Sequence, residues 1–220
     1  MRTREISLKK LEQLQTNLTH TLIQLRVQDP LPTLVGLLMN VGTYVTTHIH
    51  RLRDWGARPD IDDLDLIGYS TRCIFEADLM LQYYGQHEPQ PMYDLIRGEI
   101  NRDDFDILAS VVAFHGSPTP ETQRLFDDHA RRKQSKHPRT PTFSDLATRT
   151  GAEDEYASFY KLCSKYAHPS AYLLMADRRH VWSAYVRDIF LDRAVRYAEH
   201  CATVMNIFLR KTIETSQPEA

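Results

Sequence analysis

The sequence predicts an all-α protein, a single-domain bundle of five to seven helices. Three observations carry that expectation. Apolar residues recur at three- and four-residue spacing along most of the chain, no stretch alternates with the two-residue period of a strand, and no Asn-Gly turn joins two apolar runs. With 220 residues and 42% hydrophobic content, the chain can also bury one sizeable core.

The elements follow in order. Between Ser7 and about Gln28, Leu8, Leu11, Leu18, Leu22 and Leu25 form one stripe that Gln15 interrupts. This narrow seam suits a bundle neighbour or a second copy of the chain, so helix 7–28 is the expected surface for a homodimer or partner protein. Asp29-Pro30-Leu31-Pro32 breaks it, which divides the chain into an N-terminal amphipathic helix, 1–28, and a bundle domain, 33–213. A second helix runs from about Thr33 to Trp55, and a third starts at the acidic Asp60, Asp62 and Asp63 and closes at Gly85. A fourth helical region spans Met92 to about His115 and stops at Gly116-Ser117-Pro118. The run 129–141, HARRKQSKHPRTP, carries five basic residues in thirteen and reads as a basic connector. A short helix around Leu146–Arg149, an aromatic helix ending near His168, and a long helix from about His180 to Ile213 complete the chain.

Several function classes lose support. The net charge is −2, so no global field drives the protein onto nucleic acid or a membrane. Cys73, Cys163 and Cys201 are odd in number and far apart, which argues for a reducing, cytoplasmic setting and against a disulfide framework or zinc ribbon. The charged N-terminus lacks a signal-peptide core, and no run of 18 apolar residues follows, so no membrane partner is expected. H-E-x-x-H, EF-hand, G-x-x-x-x-G-K, G-x-G-x-x-G and G-x-S-x-G patterns are missing, so neither a cofactor nor a metal is expected. His48 and His50 sit two apart and point about 200° from each other on a helix, which prevents joint chelation.

Two places carry chemistry-bearing residues. Arg72 and Glu76 share a face of the third helix among Tyr69, Cys73, Ile74, Phe75 and Leu79, so the pair is expected to be partly buried. Its plain alternative is a surface ion pair. The segment Tyr156–Ser170, YASFYKLCSKYAHPS, reads as an amphipathic helix stopped by Pro169, with His168 at the negative helix end where protonation is favoured. There the alternative is a C-capping histidine.

YSTRCIFEADLMLQYY together with TFSDLATRTGAEDEYASFYKLCSKYAHPS resembles an uncharacterised, mainly bacterial family, a domain of unknown function with an Arg-x-x-x-Glu helix and a Tyr-rich helix ending in His-Pro-Ser. The resemblance spans about a quarter of the chain. It implies an all-helical fold in which Arg72, Glu76, Tyr160 and His168 meet. More distantly, the chain is similar to the HEPN superfamily of helical bundles, whose catalytic members are metal-independent RNases with four to six residues between an arginine and a histidine. Arg193 and His200 have six residues between them, and residues seven apart share a helical face. The polar residue that usually follows the arginine is Ala194 here.

The HEPN resemblance implies a possible endoribonuclease or RNA-binding protein in a stress or defence setting, such as a toxin–antitoxin pair. His168 or His200 would act as general base or acid on a ribose 2′-hydroxyl, and Arg72 or Arg193 would stabilise the phosphate charge. Arg131, Arg132, Lys133, Lys136 and Arg139 would add sequence-independent phosphate contacts. The alternative function is a non-catalytic interaction module in which the polar cluster only fixes helix register.

Overall fold

The computed structural model describes residues 2–27, 34–58, 63–86, 103, 105–114, 119–133, 141–167 and 181–216. Among them every element is helical: α1 (Arg2–Val27), α2 (Leu34–Ala57), α3 (Leu64–Gly85), α4 (105–114), α5 (Pro120–Lys133), α6 (Phe143–Thr150), α7 and α8 (Val181–Ser216). The seventh runs without a break through α-helical Glu153–Glu155, π-helical Tyr156–Tyr160 and α-helical Lys161–Ala167. All-α architecture is therefore as predicted, with eight described helices against the five to seven expected. The additional one is α5, whose sequence PETQRLFDDHARRK offers too few apolar residues for a periodic face.

The chain forms two compact units, Met1–Gly85 with Phe143–Ala220, and Gln86–Thr142. In the second unit, α4 and α5 meet through Phe105 and Phe126, with ring centroids 4.9 Å apart. Pro120 opens α5 at the first helical position, where its missing N–H costs nothing, and Thr119 Oγ1 accepts the Thr122 N–H at 3.2 Å. The helix runs through Lys133, so the first residues of the predicted connector are helical; residues 134–140 lie outside the described set.

In the first unit, α1 packs on α2 and α8, while α3 packs on α2, α6, α7 and α8. The leucine stripe of α1 is spent here: Leu11, Leu14, Leu18 and Leu25 are buried with Leu38, Val45, Ile49 and Leu52 of α2. Each full burial of such a side chain contributes roughly 1.5–3 kcal/mol. An association through α1 would therefore have to use its outer side, where Ile6 and Ile23 are exposed. On α8 the inward face is set by Phe190, Leu191, Ala194, Ala198 and Met205, whereas Tyr185 is exposed. His48 is buried, sharing a hydrogen bond with Ser70 Oγ at 3.1 Å, and burial, aided by the charge of Arg51, holds it down at about 4. His50 faces solvent, 3.5 Å from Asp54.

Two glycines set the geometry around the candidate site. At Gly68 of α3 a Cβ would lie 3.0 Å from the Phe190 ring and 3.1 Å from Tyr166 Cβ, so the missing side chain lets α7 and α8 close onto α3. Gly151 ends α6 at φ +74°. Its N–H donates to Thr148 O at 3.3 Å and the Ala152 N–H to Ala147 O at 2.7 Å, the bonding pattern of a Schellman cap.

Nothing lies within 4 Å of a Cβ added at Gly151, so substitution meets only backbone strain. Gly151→Ala is expected to cost about 1–2 kcal/mol in a denaturant melt, and Gly151→Asn less, because asparagine tolerates the left-handed region.

Candidate functional site

Four-residue spacing on α3 brings Arg72 and Glu76 together, and α7 delivers Tyr160 onto them. Arg72 Nε donates to Glu76 Oε1 at 2.9 Å, Arg72 Nη2 donates to Tyr160 Oη at 2.6 Å, and Tyr160 Oη donates to the same Glu76 Oε1 at 3.1 Å. The three groups close a ring. The Arg72 Cζ also lies 4.5 Å from the Tyr160 ring centroid, and Tyr156 stacks on Tyr160 at 4.4 Å. The Arg72 and Glu76 side chains are only 19% and 16% exposed, so this is not the surface pair of the plain alternative. Burial works against the Arg72 charge, but the Glu76 hydrogen bond and charge outweigh it and hold the guanidinium above its ordinary range. Burial, then the Glu76 charge, pushes Tyr160 up to about 12, so its hydroxyl stays a donor. His168 lies outside the described residues.

A second network forms one helical turn away along α7. Glu155 accepts the Tyr197 hydroxyl and pairs with Arg193 Nη1, 3.0 Å from Oε1 and 3.1 Å from Oε2. Tyr197 is driven strongly upward, first by burial and then by the Glu155 bond. Around these groups Phe75 and Tyr197 lie 4.8 Å apart, with Phe159 at 5.8 Å from both Phe190 and Tyr197. The π-helical turn thus starts just after the carboxylate that reaches α8 and ends on the phenol that reaches α3.

His200 lies further along α8, in a different setting. Its Nδ1 is 2.5 Å from Asp78 Oδ1; Asp78 is 6% exposed in its side chain and His200 43%. Gln82 Nε2 donates to the other Asp78 oxygen at 3.1 Å. Burial raises Asp78, opposed by the bond to His200 and its charge. The same bond raises His200 above 6.5, against the pull of burial and with help from the Asp78 charge. A carboxylate anchored in the core thus holds one ring nitrogen of an imidazole whose side chain is partly open to solvent. That is the orientation a general acid–base histidine requires.

The expected residues therefore separate. Arg72, Glu76 and Tyr160 converge, while His168, the fourth residue that the resemblance implied, is not among the described residues. Arg193 and His200 share a face of α8, yet each is held by its own carboxylate, Glu155 and Asp78. Ala194, in the place of the usual polar residue, is fully buried. Arg131 pairs with Asp128 on the surface of α5. The side chains of Arg132 and Lys133, and all of Lys136 and Arg139, lie outside the described residues. All three cysteines are buried free thiols raised by burial, which removes them as nucleophiles. Asp78, Glu155 and Tyr197 were not anticipated as site residues. The only hint at Asp78 was an acidic residue among apolar neighbours on a helix already expected to be buried. Comparison with protein-family models, curated proteins and solved structures gave no match.

Tyr160→Phe keeps the ring on Arg72 but deletes the hydroxyl between two charged groups; a loss of about 1.5–3 kcal/mol is expected in a denaturant melt. Asp78→Asn should lower the His200 titration midpoint, read by NMR, relative to the wild-type protein. Because the folded value lies above the unfolded 6.5, the stabilisation from this pair is fully present below pH 6.5 and is lost as pH rises through the folded value. Melts of wild type and His200→Ala should therefore converge toward alkaline pH.

Proposed function

We propose that the protein is a metal-independent endoribonuclease of HEPN-like character, acting in a stress or defence setting, with His200 as its acid–base residue and Asp78 as the residue that positions it. The observation that supports this reading is the Asp78–His200 pair, a buried carboxylate bonded to Nδ1 of a partly exposed imidazole. In the reaction, the imidazole takes the proton of a ribose 2′-hydroxyl as its oxygen attacks the adjacent phosphorus. The bond from phosphorus to the 5′-oxygen breaks, a proton is returned to that oxygen, and a 2′,3′-cyclic phosphate remains. His168 is the second proton-transfer group in this scheme. The Arg72–Glu76–Tyr160 ring fastens the helix that leads to it, and the basic run from Arg131 to Arg139 supplies sequence-independent phosphate contacts.

One observation favours the alternative, a non-catalytic interaction module. In the Arg72–Glu76–Tyr160 ring each bond satisfies another group of the ring, which is how a structural clasp is built. Mixed RNA incubated with the protein in EDTA separates the two. Under the nuclease reading the wild-type protein cleaves, His200→Ala loses about 10²–10⁴-fold in rate with an unchanged circular-dichroism spectrum, and His168→Ala loses activity independently. Absence of cleavage by the wild type would leave the module as the function, and undiminished cleavage by His200→Ala would remove His200 as the acid–base residue.

A further inference from the structure

The bond from Asp78 Oδ1 to His200 Nδ1 orients the imidazole only as well as the carboxylate is itself held. An aspartate carboxyl turns readily about its last bond, so an unsupported one would aim at its partner only part of the time. Asp78 is supported. Gln82 stands one turn further along α3, partly exposed, and donates its Nε2–H to Oδ2 at 3.1 Å, while His200 Nδ1 takes Oδ1. The buried Cys201 thiol of α8 lies 4.0 Å from that same Oδ1. The two oxygens are thus claimed separately, and a turn of the carboxyl that released His200 would break the Gln82 bond as well.

These contacts also locate a proton. The amide nitrogen of Gln82 donates and does not accept, so Oδ2 is an acceptor; the thiol is a weak donor toward Oδ1. With both oxygens accepting, the carboxyl carries no proton, and the hydrogen of the third bond belongs to His200 Nδ1. Neutral His200 then has its free lone pair on Nε2. Burial alone would drive Asp78 toward its protonated form; the bond and charge of His200, and then the Gln82 bond, oppose that. The plain role of Gln82 is one more four-residue helix pair on α3. A pair of that kind would be felt on α3 alone, whereas this carboxylate is 6% exposed and bonded to another helix, so the loss of Gln82 is transmitted to His200.

We propose that Gln82 is a positioning residue: by holding Oδ2 of Asp78 it keeps Oδ1 on Nδ1 of His200 and leaves Nε2 as the atom that takes the proton of the ribose 2′-hydroxyl. This role in catalysis rests on His200 being the acid–base residue.

Nitrogen-15 NMR of the His200 ring across pH, with RNA cleavage measured on the same samples, tests it. The neutral ring of the wild type should carry its proton on Nδ1. Gln82→Leu should populate both tautomers, lower the His200 midpoint toward 6.5, and reduce kcat by up to about 10²-fold with KM unchanged. Gln82→Met, which keeps the length without the donor, should do the same and serves if the leucine variant does not fold. A wild type that leaves RNA intact removes the nuclease reading, while the tautomer and midpoint of His200 still decide whether Gln82 positions it. An Nε2–H tautomer in the wild type, or a tautomer and midpoint unmoved in the Gln82 variants, would overturn the role, as would an undiminished kcat in Gln82→Leu beside a cleaving wild type.

Discussion

The organising constraint is that α3 is buried on most of its circumference while carrying Ser70, Thr71, Arg72, Glu76 and Asp78. A polar group taken from water costs free energy unless a partner replaces the lost hydration, and a charge costs more. Each polar residue of α3 therefore recruits a neighbour. Ser70 takes His48 of α2, Thr71 bonds to Ile67 O with Phe190 O at 3.4 Å, Arg72 and Glu76 take Tyr160 of α7, and Asp78 takes His200 of α8 and Gln82. The apolar positions drive the packing, and these partnerships choose its register. A slip of α7 or α8 along α3 would strand a charge in the core.

The π-helical turn solves the geometry of α7. Residues five apart on an α-helix point roughly 140° away from each other. Glu155 must reach Arg193 and Tyr197 on α8, and Tyr160 must reach Arg72 and Glu76 on α3. The i→i+5 spacing of a π turn brings such residues closer to one face. Both can then enter the cleft between α3 and α8, with Phe159 between them against Phe190 and Tyr197. Irregular backbone at this point is what lets one short helix serve two networks.

The parts of the structure that were legible are those written as local periodicity. The leucines of α1, the apolar face of α2 and the Arg72–Glu76 spacing could be read directly, because a helix places residues three and four apart side by side. The polar α5 gave no such stripe, and its surviving signal was Thr119-Pro120-Glu121, a cap, a first-turn proline and an acidic first turn. The partnership of Asp78 with His200 spans 122 positions and obeys no local period. Nor does any residue type announce a π turn, so Glu155 and Tyr160 could not be placed from an ideal helix. Seven-residue spacing correctly put Arg193 and His200 on one face of α8, but face alone did not say which carboxylate would claim each.

The buried charges differ in how completely the protein answers them, and that difference is informative. Arg72, Glu76 and Tyr160 bond to one another, and these bonds hold α7 to α3. Asp78 is answered by His200 and Gln82, yet the imidazole it fixes is itself more than two-fifths exposed, leaving reactivity in a rigid frame. Arg187 is answered by nothing among the described residues at the two atoms its burial conceals. A fold whose total stability is of the order of 5–15 kcal/mol bears a considerable penalty from an unanswered buried guanidinium. The two arginines of the core thus differ: Arg72 is tied to Glu76 and Tyr160 and clasps α7 to α3, whereas Arg187 keeps two concealed nitrogens without a partner among the described residues.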